Sequence, residues 1–559
     1  MKKLIALFIV LTLFLSSCGI IIPADSTDDG NVRDDVLTDN TGNVTDDDND
    51  TQPGDDGNGS GDGTGSSDNT GTGDNTGNNG DNGECTDSHT DVNDDGKCDN
   101  CSVSVIVLID LFAINDLHGK IKASDSQPGI GGLTTYLKRV TDENTILLSS
   151  GDMWQGSSES NLTYGAYITD WMNELGFVSM TIGNHEYDWN ESYISANAAL
   201  AEFPLLAINV YDKTTGKRAE YATPSVVIER GGVEIGIIGA IGDCYSSISG
   251  DVSGNFTFKV GDDLTELVKA ESERLRAEGV DFIVYSLHDG YESGTNSKKN
   301  VKDSDIAFYY DTELSDGYVD LVFEAHTHQS YILYDSKGVY HLQGGGENKG
   351  LSHAEVSINS ANGNTKVKTA EVVKSSTYGK LDEDSLIDEL LEKYADLIAP
   401  ADEVLGVNNR YVDDSEVEQI VANLYYEFGL ELWGDEYDIV LGGGFIKTRN
   451  PYNLYSGTVT YADVYSLLPF DNNLVLCAIS GRDLYYKFLT TDNSDYYVCT
   501  DGDVQDLIDS INMNKTYYIV TDTYTSTYSY NNCTEVARCT DRIFARDLFA
   551  KYIKDGRLN

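Results

Sequence analysis

The stretch Thr181-Ile182-Gly183-Asn184-His185-Glu186-Tyr187-Asp188 places an amide, an imidazole and two carboxylates directly after a short apolar run. A glycine before Asn, behind strand-like residues, signals a tight turn that delivers Asn184 and His185 to the C-terminal edge of a strand. In open α/β sheets that edge is where ligands gather. Taken alone, the stretch reads equally well as an Asx turn with a surface histidine, so its meaning depends on the other strand ends.

Those ends carry the same residue types. Val103 to Ile114 is a nearly continuous β-branched and aliphatic run, as expected of a strand buried on both faces, and it ends in Asn115-Asp116-Leu117-His118-Gly119. Asp116 and His118 are two apart, so in extended chain they point to one side and can bind one ion. Thr145 to Leu148 ends in Ser149-Ser150-Gly151-Asp152-Met153-Trp154-Gln155-Gly156. Val280 to Leu287 ends in His288-Asp289-Gly290, and Val319 to Ala325 ends in His326-Thr327-His328. Of 8 histidines in the chain, five follow such runs beside Asp, Asn or Gly, which scattered surface residues would not do. Helix-like stretches such as Leu264 to Ala277 alternate with the runs, predicting an α/β sheet whose turns converge at one edge.

The order DxH, GDxxxG, GNHE, H and HxH resembles the calcineurin-like metallophosphoesterases. With its C-terminal half, the chain is similar to the secreted 5′-nucleotidase family over about residues 105 to 559. That resemblance implies a four-layer α/β/β/α sandwich at 105–375, a linker helix at 376–400 and a smaller α/β substrate-binding domain at 401–559. It implies one metal held by Asp116, His118, Asp152 and His328 and a second by Asp152, Asn184, His288 and His326, with Asp152 bridging. His185 would face the phosphoryl group, oriented by Asp188. Mixed imidazole, carboxylate and amide ligands suit zinc or manganese, and two such ions clamp both oxygens of an in-line displacement while making hydroxide available to attack phosphorus at neutral pH. Glu186 and Asp289 are left between a supporting and a solvated role, and His341 and His353 read as structural. Ala325 stands where the family has Gly before HxH, a change that matters only if the turn needs positive φ.

Three later segments resemble the family's substrate-binding domain: Leu441 to Arg449, Gly457 to Tyr461, and Leu467 to Asn473. By resemblance Phe470 stacks on a nucleobase, Asn472 hydrogen-bonds it and Arg449 binds substrate. Departures are Leu441 for the Asn of NGGxxR, extra residues before Arg449, and Thr527-Tyr528-Ser529-Tyr530-Asn531 in place of GGDGY; Tyr528 or Tyr530 would supply the second face of a base sandwich. The activity implied is hydrolysis of nucleotides, of the 5′-nucleotidase, UDP-sugar hydrolase or cyclic phosphodiesterase type. Two other readings stay open: a surface protein that binds nucleosides or glycans beside an idle metal site, and a phosphoesterase for non-nucleotide substrates. Among the later cysteines Cys477, Cys499, Cys533 and Cys539, the pair Cys533 and Cys539 closes the shortest loop, leaving Cys244 single.

The formal net charge of -55 disfavours nucleic-acid polymers and anionic membranes as partners. On the order of twenty of those charges fall between Asp25 and Asp99, a window almost without apolar residues. Met1-Lys2-Lys3 followed by an apolar run to Leu15 reads as a secretory signal, and Leu15-Ser16-Ser17-Cys18 resembles the bacterial lipobox, so lipid on Cys18 would anchor the chain to an extracellular or periplasmic membrane face. Residues 19–84 read as an acidic, self-repelling tether. The module at 85–101 has Asp91, Asn93, Asp95 and Asp99 around Gly96 in the alternating spacing of a calcium loop, with Ser102 at the twelfth position. It reads as calcium-binding or disulfide-pinned; Cys85, His89, Cys98 and Cys101 also offer zinc chemistry.

Overall fold

A computed structural model of the chain describes residues 89–123, 128–292, 299–300, 302–449, 453–491, 494–527 and 532–559. The signal, Cys18, the tether, Cys85, Tyr528 and Tyr530 lie outside the described residues. Two sheets stack face to face. The six-stranded sheet runs in the order Thr365–Lys374, Gly350–Asn359, Ile106–Ile114, Thr145–Ser149, Ser179–Thr181, Leu205–Leu206. The seven-stranded sheet runs Lys299–Asn300, Ser330–Tyr334, Tyr340–Gly344, Leu321–Phe323, Phe282–His288, Val233–Ile241, Ser225–Arg230.

Side-chain alternation dictates the layers. Ile109, Leu111 and Ala113 of one strand face Ile235, Ile237, Phe282, Val284, Leu321 and Phe323 of the other sheet. Phe112, Ile114 and Leu147 face outward against Leu133, Leu137, Ile168, Trp171 and Met172 of the helices Ile130–Val140 and Ala166–Leu175. On the other outer face Ile238, Ile283 and Tyr285 pack with Leu264, Val268 and Leu275 of the helix Asp262–Glu278, which stops at Gly279 in the left-handed conformation. The result is an α/β/β/α sandwich. Burying each of these large apolar side chains stabilises it by about 1.5–3 kcal/mol.

Strand direction then gathers the turns. Ile106–Ile114, Thr145–Ser149 and Ser179–Thr181 are mutually parallel, as are Val233–Ile241, Phe282–His288 and Leu321–Phe323. All the His- and Asp-bearing turns follow the C-terminal ends of these strands.

The segment read as a linker is two helices, Ser385–Lys393 and Ala395–Ile398, broken at Tyr394. Leu386, Ile387, Leu390 and Tyr394 join the sandwich's outer core, and the Tyr394 hydroxyl donates to Asp170. The C-terminal part has a five-stranded sheet, Tyr496–Cys499, Ile439–Phe445, Thr516–Asp522, Leu474–Ser480, Thr534–Arg538, covered by the helix Asp414–Trp433. Asp413 caps that helix by accepting from the Glu416 N–H. One expectation changes here: Cys533 and Cys539 flank the strand Thr534–Arg538, which holds them roughly 20 Å apart at about 3.3 Å per residue. That exceeds disulfide reach. Cys477 on the neighbouring strand is instead the one within hydrogen-bonding distance of Cys533.

Candidate metal centre and substrate cavity

Three of the turns bend sharply where they deliver their side chains. Asp116, His118, Asp152, His326 and His328 all adopt left-handed backbone, with φ of 48, 50, 53, 66 and 55°. Such conformations cost non-glycine residues of order 1 kcal/mol or more and persist where surrounding structure enforces them. Ala325 is not among the positive-φ residues, so its methyl carries no backbone penalty. Gly183 is required for space: a Cβ there would stand 2.3 Å from Asp152 Oδ1.

The side chains form two clusters sharing one carboxylate. In the first, His118 Nε2 lies 3.0 Å from His328 Nε2, His328 Nε2 lies 3.5 Å from Asp116 Oδ1, and His118 Nε2 is 4.0 Å from Asp152 Oδ2. In the second, His288 Nε2 lies 3.2 Å from the same Asp152 Oδ2 and 3.1 Å from Asn184 Oδ1, and His326 Nδ1 lies 2.9 Å from Asn184 Oδ1. Several of the remaining polar atoms are engaged by backbone groups. His118 donates from Nδ1 to the Gln155 carbonyl at 2.9 Å, and His288 donates from Nδ1 to the Ser150 carbonyl at 2.7 Å, which turns both Nε2 atoms toward the cluster. Asp152 Oδ1 accepts from the His185 N–H at 2.8 Å, leaving Oδ2 for the space between the clusters.

Burial, reinforced by the Arg449 charge, holds His118 well below its usual range and His328 down at about 3; burial and His288 take His326 to about 4. These are neutral imidazoles. Asp152 is held well below the usual carboxylate range: burial opposes its charge, but His288 and His185 outweigh burial. Nitrogen lone pairs and carboxylate oxygens crowded at 3–4 Å repel unless a cation sits among them, so the donor set fits divalent metals.

His185 stands beside this centre as a separate group. Its Nδ1 lies 2.7 Å from Asp188 Oδ2, and its ring is 5.1 Å from that of His118. Burial disfavours its protonation, yet the Asp188 and Asp152 carboxylates together raise its pKa above the ordinary histidine value.

Glu186 and Asp289, open in the sequence, are both buried supports. Glu186 accepts from the backbone N–H groups of Asp152, Met153, Trp154 and Gly183, so one carboxylate clamps the GDxxxG and GNHE turns together. Asp289 accepts from the N–H groups of Gly290 and Cys244. His341, wholly buried, lies 2.6 Å from Glu324, which precedes the HxH turn; His353 pairs with Asp110 and Glu371 on the two strands that flank its own.

A cavity of about 360 Å³ opens onto the centre. The sandwich lines it with Asn184, His185, His326 and His328, and the C-terminal part with Phe445, Arg449, Phe470, Asn472 and Tyr524. Phe470 stacks 6.0 Å from His185, and Arg449 lies 6.0 Å from the Phe470 ring while donating to Gln155 Oε1 at 2.8 Å. Gln155, Phe445 and Tyr524 were not singled out from sequence. Gln155 sits within the GDxxxG turn, where its partner across the cavity leaves no local signal. Phe445 ends the strand Ile439–Phe445 and Tyr524 lies in the short helix Thr523–Thr527 that follows the strand Thr516–Asp522; their rings are 5.6 Å apart, and the local pattern marks them only as core.

Two family models match the sequence: calcineurin-like phosphoesterase over residues 109–330 and 5′-nucleotidase, C-terminal domain over residues 398–531. The chain belongs to the calcineurin-like phosphoesterases that carry a 5′-nucleotidase C-terminal domain. The phosphoesterase is 26% identical over 409 residues to Endonuclease YhcR of Bacillus subtilis, covering 67% of this chain and 32% of that protein. It therefore spans about a third of YhcR. An apyrase of Tabanus yao is 25% identical over 431 residues, covering 68% of this chain and 72% of the relative. The crystal structure of a 5′-nucleotidase precursor from Thermus thermophilus shares the fold with a TM-score of 0.60 at 19% identity, covering 80% of this chain and 96% of that one.

Proposed function

We propose that this phosphoesterase removes phosphate from nucleotides, using two divalent cations held by the shared-carboxylate cluster. The observation that carries the reading is the single cavity onto which Asn184, His185, His326 and His328 open from one side and Phe470, Asn472 and Arg449 from the other. Its volume of about 360 Å³ lies in the usual range for small-ligand sites.

In this reading Asp116, His118, Asp152 and His328 hold one cation, and Asp152, Asn184, His288 and His326 the other. Such ions, when bound, polarise phosphoryl oxygens and supply hydroxide at neutral pH. The protein's own groups do the rest. Asp188 engages Nδ1 of His185 and keeps the ring protonated, so Nε2–H is available to the leaving oxygen as the ester bond breaks. Arg449 offsets phosphate charge, Phe470 offers a π face to the base and Asn472 a hydrogen bond. The relatives' names span an endonuclease and an apyrase, but a net charge of -55 repels polymeric nucleic acid, which favours mononucleotides. Lipid on Cys18 would hold the enzyme on an extracellular or periplasmic membrane face; among the described residues no helix is long and apolar enough to cross a membrane.

The test is turnover of AMP, UDP-glucose and 2′,3′-cyclic AMP by protein reconstituted with manganese or zinc. Hydrolysis of at least one is expected. Failure on all three, with release of phosphate from non-nucleotide esters, would replace this reading with the non-nucleotide one.

A further inference from the structure

The described chain begins at a cluster of metal-ligating side chains that lies outside the catalytic cavity. Ligand atoms of His89, Cys98 and Cys101 all fall within 4.8 Å of one another, and Cys101 Sγ is 3.6 Å from His89 Nδ1. For tetrahedral zinc with Zn–S of about 2.3 Å and Zn–N of about 2.0–2.1 Å, neighbouring ligand atoms stand roughly 3.4–3.8 Å apart, so the Cys101–His89 edge already has zinc-site dimensions. Cys98 is 1% exposed. A buried thiol next to a second thiol and an imidazole is a ligand set for a soft-to-borderline cation, unlike the nitrogen and oxygen donors of the catalytic cluster.

The loop between His89 and Cys98 is built to hold these ligands in place. Asp91 accepts from the N–H groups of Asp95 and Gly96, Asp95 accepts from the Lys97 N–H, and Asp99 accepts from the Val92 N–H. Asn93 also accepts from the Asp95 N–H, so all four residues with calcium-loop spacing spend oxygens on their own backbone. The loop is also seated on the sandwich: Asn359 donates to Asp91 at 2.8 Å and Asn362 donates to Asp94 at 3.1 Å, both from the turn that joins the strands Gly350–Asn359 and Thr365–Lys374.

We infer that His89, Cys98 and Cys101 bind a structural zinc ion that fixes this module to the edge of the phosphoesterase sandwich. Binding displaces both thiol protons to solvent and puts two thiolates and one imidazole nitrogen among the ion's four ligands.

Cobalt(II) is the probe, because a thiolate bound to it gives an intense near-ultraviolet charge-transfer band that oxygen and nitrogen ligands do not. The full chain loaded with cobalt should show this band. Cys98→Ser/Cys101→Ser should abolish it and His89→Ala should diminish it, whereas Cys244→Ser, which removes the thiol nearest the catalytic cluster, should leave it. Should the double variant fail to fold, a mercurial titration of the wild-type chain reads the same site: zinc is released in step with modification of two thiols. A band that survives in Cys98→Ser/Cys101→Ser, or thiols of Cys98 and Cys101 that are joined in a disulfide in the isolated protein, would overturn the assignment.

Discussion

Replacing Glu186 by glutamine keeps the shape of the side chain and changes one oxygen to an NH₂ group. In the native protein Oε1 accepts from Met153 N–H at 2.9 Å and Trp154 N–H at 3.4 Å, and Oε2 from Asp152 N–H at 2.9 Å and Gly183 N–H at 2.8 Å. Whichever way the amide is turned, its oxygen serves one pair and its NH₂ faces the other. Two buried N–H groups then lack an acceptor, at about 1–3 kcal/mol each, so Glu186→Gln should destabilise the protein by roughly 4 kcal/mol. At about 2–4 °C per kcal/mol the melting temperature should fall on the order of 10 °C. Both affected turns deliver proposed metal ligands, Asp152 from one and Asn184 from the other, so manganese affinity should weaken about 10–100-fold as well. Thermal unfolding by circular dichroism and manganese titration by calorimetry measure the two effects. A variant that melts within about 1 °C of wild type and binds manganese equally well would refute the clamp.

His185→Ala should lower kcat by about 10²–10⁴-fold while bound metal, measured by mass spectrometry, stays unchanged. Phe470→Ala should raise KM for AMP about 10–100-fold and leave bis-p-nitrophenyl phosphate hydrolysis nearly untouched in steady-state assays. His341 gives the pH signature: burial opposes its charge, but Glu324 and Asp335 push it up to about 9. Its folded pKa is thus raised, so the stabilisation is fully present below about pH 6.5 and is lost as pH rises through 9. That is worth at most roughly 3 kcal/mol, and His341→Gln should flatten the urea-denaturation profile between those limits.

The sandwich was legible because its strands are buried on both faces and its candidate metal ligands stand where those strands end. Ile106–Ile114 shows this best: an unbroken apolar run fixes the strand, and Asp116 and His118 must then follow at the sheet edge. The cavity was only half legible. Phe470 and Asn472 sit in a loop whose motif is local, whereas Gln155, Phe445 and Tyr524 matter through partners hundreds of residues or several strands away. Glu186 could not be placed from sequence because an acidic residue beside His185 gains its role from four N–H groups on two turns. The cysteine expectation failed for a geometric reason: loop length ignores the rigid strand between Cys533 and Cys539.

The central claim is that one cavity reads both the phosphate and the base. The direct measurement is kcat/KM of manganese-loaded protein for AMP against ribose 5-phosphate, which carries the same ester without the base. A preference for AMP on the order of 10–100-fold, lost in Phe470→Ala, is the predicted result. Equal values for the two substrates in the wild-type protein would contradict it.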